Sequence, residues 1–169
     1  MKALVVVCYQ KDRVSGPMGH RFAKMIENNI CERIEATLSR GGELYFLMDV
    51  FEDDYERSAE AIRNPVRHCI RGTDGASLYG KLNDYQSRAY IIRKDTPGCV
   101  DLIDSLKRYD EIELCGVDTN TDILSNAIMA RTASPFAKVI VRQNCVAAKD
   151  SLLAEEATDL MTALGITVM

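Results

Sequence analysis

Short, nearly continuous apolar runs alternate along this chain with longer stretches in which apolar residues recur every three or four positions. Residues 2–8, with Ala3-Leu4-Val5-Val6-Val7 running into Cys8, read as a strand buried on both faces. Across 17–39, Phe22, Met25, Ile26, Ile30, Ile34 and Leu38 keep helical spacing, and Gly41-Gly42 ends the pattern. Leu44-Tyr45-Phe46-Leu47-Met48 is a second buried strand that ends at Asp49. Residues 50–85 are polar and irregular, and so long a connection inside a compact domain points to function. The pattern then predicts a strand over 88–94, a helix over 99–108, a strand over 112–117 and a helix over 121–133. A strand at 139–141, a helix over 151–164 and a short strand at 166–168 complete it.

Strands that alternate with helices imply a mostly parallel, doubly wound sheet of about six strands with helices on both faces. We therefore expect a single three-layer αβα domain over 1–169, with no internal repeat or linker. In an open parallel sheet, ligands bind beyond the carboxyl ends of the strands. That rule brings Cys8, Lys94 and Asp122, each at or just after the end of an apolar run, to one pocket.

Composition narrows the classes. At 169 residues and 47% hydrophobic, the chain can bury a proper core, and its net charge of -4 argues against nucleic acid as a partner. No apolar stretch approaches the roughly 20 residues of a membrane span. The run after Met1-Lys2 is too short for a signal peptide, so we expect a cytoplasmic protein. The six cysteines form no C-x-x-C pair and read as free thiols, several of them small buried hydrophobes.

Each candidate residue has a plain structural reading. Asp122 or Thr121 can cap the helix that follows Gly116-Val117-Asp118-Thr119-Asn120, and His68 can make ordinary loop hydrogen bonds. Lys94 can carry its ammonium to water. The functional readings put Asp122 where amide groups favour an anion, make it a partner for a half-buried Lys94, and set Asp49 and His68 as metal donors.

Taken in order, these residues resemble the isochorismatase-like hydrolases, the superfamily of nicotinamidases and N-carbamoylsarcosine amidase. The resemblance rests on four segments and on Lys94 between the last two. They are Cys8-Tyr9-Gln10-Lys11-Asp12 after the first strand, Asp49-Val50-Phe51, Pro65-Val66-Arg67-His68-Cys69-Ile70-Arg71-Gly72-Thr73, and Gly116-Val117-Asp118-Thr119-Asn120-Thr121-Asp122-Ile123. The resemblance implies a cysteine nucleophile, an aspartate base and a lysine. Those places fall on Asp122, Cys8 and Lys94, so cysteine and aspartate stand exchanged. It implies a cis peptide at Val117–Asp118, with oxyanion donors at the amides of Asp118 and Asp122. It also implies a divalent, zinc-like metal held by Asp49, position 51 and His68, where Phe51 supplies no donor.

The ancestral activity implied is hydrolysis of C–N bonds, amide or carbamoyl, in small molecules, by a protein that works as a homo-oligomer. Three readings stay open for this chain. It is a silent member that binds a small ligand or acts through oligomer surfaces. Or it is a hydrolase with a swapped set, in which Cys8 is nucleophile, Asp122 base and Lys94 electrostatic partner. Or Asp122 itself acts as a carboxylate nucleophile or base. A Cys8 nucleophile attacks from a different direction than one at position 122, which misaims donors placed for the latter.

Overall fold

The computed structural model describes residues 1–169. Six strands are present: β1 (Lys2–Val7), β2 (Glu43–Asp49), β3 (Ala89–Lys94), β4 (Glu111–Val117), β5 (Lys138–Ala147) and β6 (Thr167–Val168). Seven helices join them: α1 (Lys11–Val14), α2 (Arg21–Met25), α3 (Glu27–Leu38), α4 (Ala59–Arg63), α5 (Val100–Leu106), α6 (Leu124–Ala133) and α7 (Ser151–Ala163). The strands lie in the order β3-β2-β1-β4-β5-β6, and every pairing is parallel. The sheet is thus the doubly wound one that the alternation predicts.

The chain steps from β1 outward to β2 and β3, then crosses back to β4 and continues to β5 and β6. Right-handed crossovers in opposite directions put α3 on one face and α5, α6 and α7 on the other. The strand order reverses between β1 and β4, which makes the carboxyl ends there the natural crevice. From Ala3 onward β1 is wholly buried, as its unbroken apolar run requires. One contiguous core surrounds it, and a separate small cluster of Phe51, Tyr55 and Cys69 lies under the 50–76 segment.

Three boundaries differ from the sequence pattern. The single helix over 17–39 is two helices, α2 and α3, that meet at Ile26, and His20 accepts from the Ala23 amide to start α2. The 139–141 strand runs on to Ala147, because β5 shifts register against β4 between Leu114 and Gly116 and carries the polar residues 142–144 in the irregular stretch. The helix after β4 begins with a wide π-type turn at Thr119–Ile123 before α6 takes over. The chain reverses after α3 at Gly41, whose φ of +75° suits a residue without a Cβ. No helix is long and apolar enough to cross a membrane.

Candidate functional site

Four strand ends and one short helix build the site. Cys8 follows β1, Asp49 ends β2, Lys94 ends β3, and Asp122 sits in the turn after β4. The parallel register sets Asp49 beside Lys94, so both side chains enter the same space. α1 then folds back over this edge and brings in Arg13, which the strand-end reasoning does not identify. Arg13 donates to Asp49 Oδ2 at 2.9 Å from Nη1, and to Asp122 Oδ2 at 2.7 Å and Asp118 Oδ2 at 3.2 Å from Nη2. Lys94 Nζ donates to Asp122 Oδ1 at 2.7 Å and to the Thr96 carbonyl at 2.9 Å, and pairs closely with Asp49 Oδ1. Cys8 Sγ donates to Asp122 Oδ1 at 3.5 Å, and the Thr121 hydroxyl donates to Asp122 Oδ2 at 2.9 Å.

This network is closed. Cys8 is 0% exposed, Asp49 and Asp122 1%, and Arg13 3%. Only Asp118 reaches toward solvent, and its second oxygen accepts from His20 Nε2 at 3.0 Å. Because His20 Nδ1 accepts the Ala23 amide, Nε2 carries the proton.

The electrostatics follow from dryness and pairing. Burial pushes the Cys8 thiol well above its ordinary range, and the charges of Asp49 and Asp122 push it further than Lys94 and Arg13 can offset. Burial alone raises the Asp122 carboxyl too, but the charges and hydrogen bonds of Arg13 and Lys94 outweigh it and hold it firmly ionised. Burial works against the Lys94 ammonium, yet the ionised carboxylates of Asp49 and Asp122 beside it keep it protonated. Two cations face two carboxylates, and a neutral thiol lies against one of the carboxylates. A thiol in this state is a poor nucleophile.

The structure therefore brings Cys8, Lys94 and Asp122 together, and the Val117–Asp118 peptide is cis. It does not gather the implied metal donors. Both oxygens of Asp49 are taken by Lys94 and Arg13. Phe51 packs edge-on against His68, ring centroids 5.1 Å apart, and offers no donor. His68 Nδ1 donates to the Val66 carbonyl at 2.8 Å, which leaves Nε2 buried and without a partner. The Sγ of Cys8 and carboxylate oxygens of Asp49 and Asp122 lie within 4.8 Å of one another, but the two side-chain cations already fill their coordination. One bare imidazole nitrogen is not a zinc site, so the residues present do not fit a divalent metal.

Two motif residues act through backbone. Gln10 donates to the Asp49 and Ala76 carbonyls at 2.7 and 2.8 Å and accepts from the Asp49 amide at 2.7 Å, which pins the end of β2. Asp12 accepts from the Cys69 amide at 2.8 Å and anchors the 69–76 turn over α1. Arg13 closes the same segment. No spacing signal could have found it, since Cys8 lies outside α1 and Arg13 reaches the site only because α1 folds back over the sheet edge.

The isochorismatase domain model matches residues 2–169. No curated protein matches the sequence. Among solved structures, the chain is similar to the pyrazinamidase/nicotinamidase from Streptococcus mutans UA159, with 26% identity, all of both chains covered and a TM-score of 0.86. It shares its fold with the pyrazinamidase of Pyrococcus horikoshii in complex with zinc, at 23% identity and TM-score 0.87, with 99% of this chain and 98% of that one covered. It also shares it with N-carbamoylsarcosine amidase from Thermoplasma acidophilum, at 24% identity and TM-score 0.78, with 99% of this chain and 94% of that one covered.

Proposed function

Since this chain belongs to the isochorismatase family, we propose that it is a member in which thiol-dependent hydrolysis of C–N bonds has been lost and the inner site has become a closed ion-pair core. The observation that carries this reading is the state of Cys8. Its sulfur is out of contact with solvent, protonated, and hydrogen-bonded to a carboxylate that two cations hold in place. An efficient family reaction needs an accessible thiolate with amide donors aimed at the oxygen that it charges. Here the place beside the turn after β4 belongs to Asp122, and the buried Arg13 is paired with it.

In this reading the protein binds a small molecule without cleaving it, and works as a homo-oligomer in the cytoplasm. Six free cysteines fit a reducing compartment. The exposed Leu153 and Leu160 on α7, with Leu164 just after it, fit a surface covered by a second copy.

Labelling with iodoacetamide at neutral pH, read by peptide mass spectrometry, tests the loss of hydrolysis alongside a panel of amides and carbamoyl compounds. Cys31, partly exposed, reacts first, Cys8 stays unmodified, and nothing in the panel turns over. A Cys8 that reacts faster than Cys31, with a rate that collapses in Lys94→Met, would establish the swapped hydrolase instead. In that case Cys8 is nucleophile, Asp122 base and Lys94 electrostatic partner.

A further inference from the structure

Outside the closed network, a cavity of about 450 Å³ opens at the carboxyl ends of β2 and β3. That volume suits a small organic ligand. Val50, Phe51 and Tyr55 give it an apolar wall, and Ser58 and charged side chains form the rest. Five of these charges are already answered, Lys94 by the buried carboxylates and four in two surface pairs. Arg71 meets Glu52 at 2.7 Å, and Arg57 lies 3.5 Å from Asp54. Arg93 and Asp95 are different. Both line the cavity and are exposed, and neither has an opposite charge within 4.0 Å.

Arg93 lies in β3 and Asp95 just beyond its end, and both line the cavity, while Lys94 between them turns into the buried network. Their charged groups lie more than 4.0 Å apart, so neither neutralises the other, and one small molecule in the cavity can touch both.

We propose that this cavity binds a small amino-carboxylate, a zwitterion whose carboxylate meets Arg93, whose ammonium meets Asp95, and whose apolar body lies against Val50, Phe51 and Tyr55. The guanidinium offers a planar, two-pronged donor suited to a carboxylate. The free carboxylate of Asp95 selects against a simple anion, and the free cation of Arg93 against a simple amine. The exposed pairs of Arg57 and Arg71 are weak and leave those arginines able to turn toward the ligand. This inference gives a ligand class to the non-hydrolytic reading and rests on it only for its purpose, since Arg93 and Asp95, the charges that hold the ligand, lie outside the buried network, of which only Lys94 borders the cavity.

NMR titration of the full chain with L-leucine, 4-methylpentanoate and isopentylamine tests it. L-Leucine shifts the amides of Val50, Arg93 and Asp95 saturably, and the two analogues, each lacking one charge, bind at least about tenfold more weakly. Arg93→Gln and Asp95→Asn each weaken L-leucine about tenfold without changing the melting temperature, because both side chains are exposed. Equal binding of 4-methylpentanoate, or unchanged affinity in Asp95→Asn, overturns the zwitterion assignment, as does the absence of any saturable shift. None of these results bears on whether Cys8 hydrolyses anything, so the two proposals fail separately.

Discussion

Arg13 and Lys94 bring two positive charges into a dry space where Asp49 and Asp122 bring two negative ones, and Cys8 as a thiol adds none. Among the buried groups the charges balance because residue 8 is not acidic, while Asp118, which also pairs with Arg13, is partly exposed. Cys8→Asp alone therefore adds a third buried carboxylate with no cation to meet it, a change that costs on the order of 3–5 kcal/mol. Combining it with Asp122→Cys returns the count to two and two. Urea unfolding should show the single variant strongly destabilised and the double variant recovering most of the loss. If both are equally unstable, the charges are not coupled. Arg13→Ala belongs to the same ledger: it leaves Asp49 and Asp122 to share Lys94 and should cost a similar amount. It should also expose Cys8, which iodoacetamide labelling would register as faster modification than in the parent chain.

The strand ends hold these residues in place, and the junction of β1 with β4 is the tightest of them. Gly116 pairs with Val7, has a φ of +118°, and a Cβ there would lie 2.1 Å from the Val7 carbonyl oxygen. Gly116→Ala forces β1 and β4 apart one residue before Cys8 and should lower stability by about 2 kcal/mol or more, with the network amides shifted in NMR spectra. The apolar run Ile112–Val117 was readable as a strand, but nothing in it announced that approach. Strand existence and order of elements were legible because fully buried parallel strands leave continuous apolar runs. The single helix over 17–39 was misread because Phe22 and Met25 keep helical spacing while lying 37% and 72% exposed, so their period does not report burial. The far half of β5 was hidden because its irregular register puts Arg142, Gln143 and Asn144 where alternation expects apolar residues. Cys8, Lys94 and Asp122 were legible as strand-end chemistry. Arg13 was not, because its role depends on α1 folding back over the sheet, which spacing along one segment cannot encode.

At the scale of the whole molecule, a further buried carboxylate ties the layers together. Glu113, at the centre of β4 and 0% exposed, accepts from Arg33 of α3 at 2.7 and 2.8 Å, from Arg142 of β5 at 2.9 Å and from Lys2 of β1 at 2.6 Å. Burial raises its carboxyl, but these three cations outweigh it and hold it at about 2, against 4.5 for an ordinary glutamate. A group whose folded value is depressed stabilises the fold fully above its unfolded value and loses that contribution as pH falls toward the folded one. Stability should therefore drop between about pH 4.5 and pH 2, by on the order of 3 kcal/mol from this residue, and Glu113→Gln should flatten that part of the curve in thermal unfolding across pH. The proposed self-association is tested at this scale as well: Leu153→Lys with Leu160→Lys should shift the sedimentation coefficient toward a single chain, and an unchanged value would remove α7 from the interface. The neutral count in the inner site has a further consequence for how this lineage can change. Any path to an aspartate at position 8 and a cysteine at position 122 crosses an intermediate with three buried acids or one. Substitution one step at a time meets a stability valley there, so on the proposed reading the fold itself resists the exchange of Cys8 and Asp122.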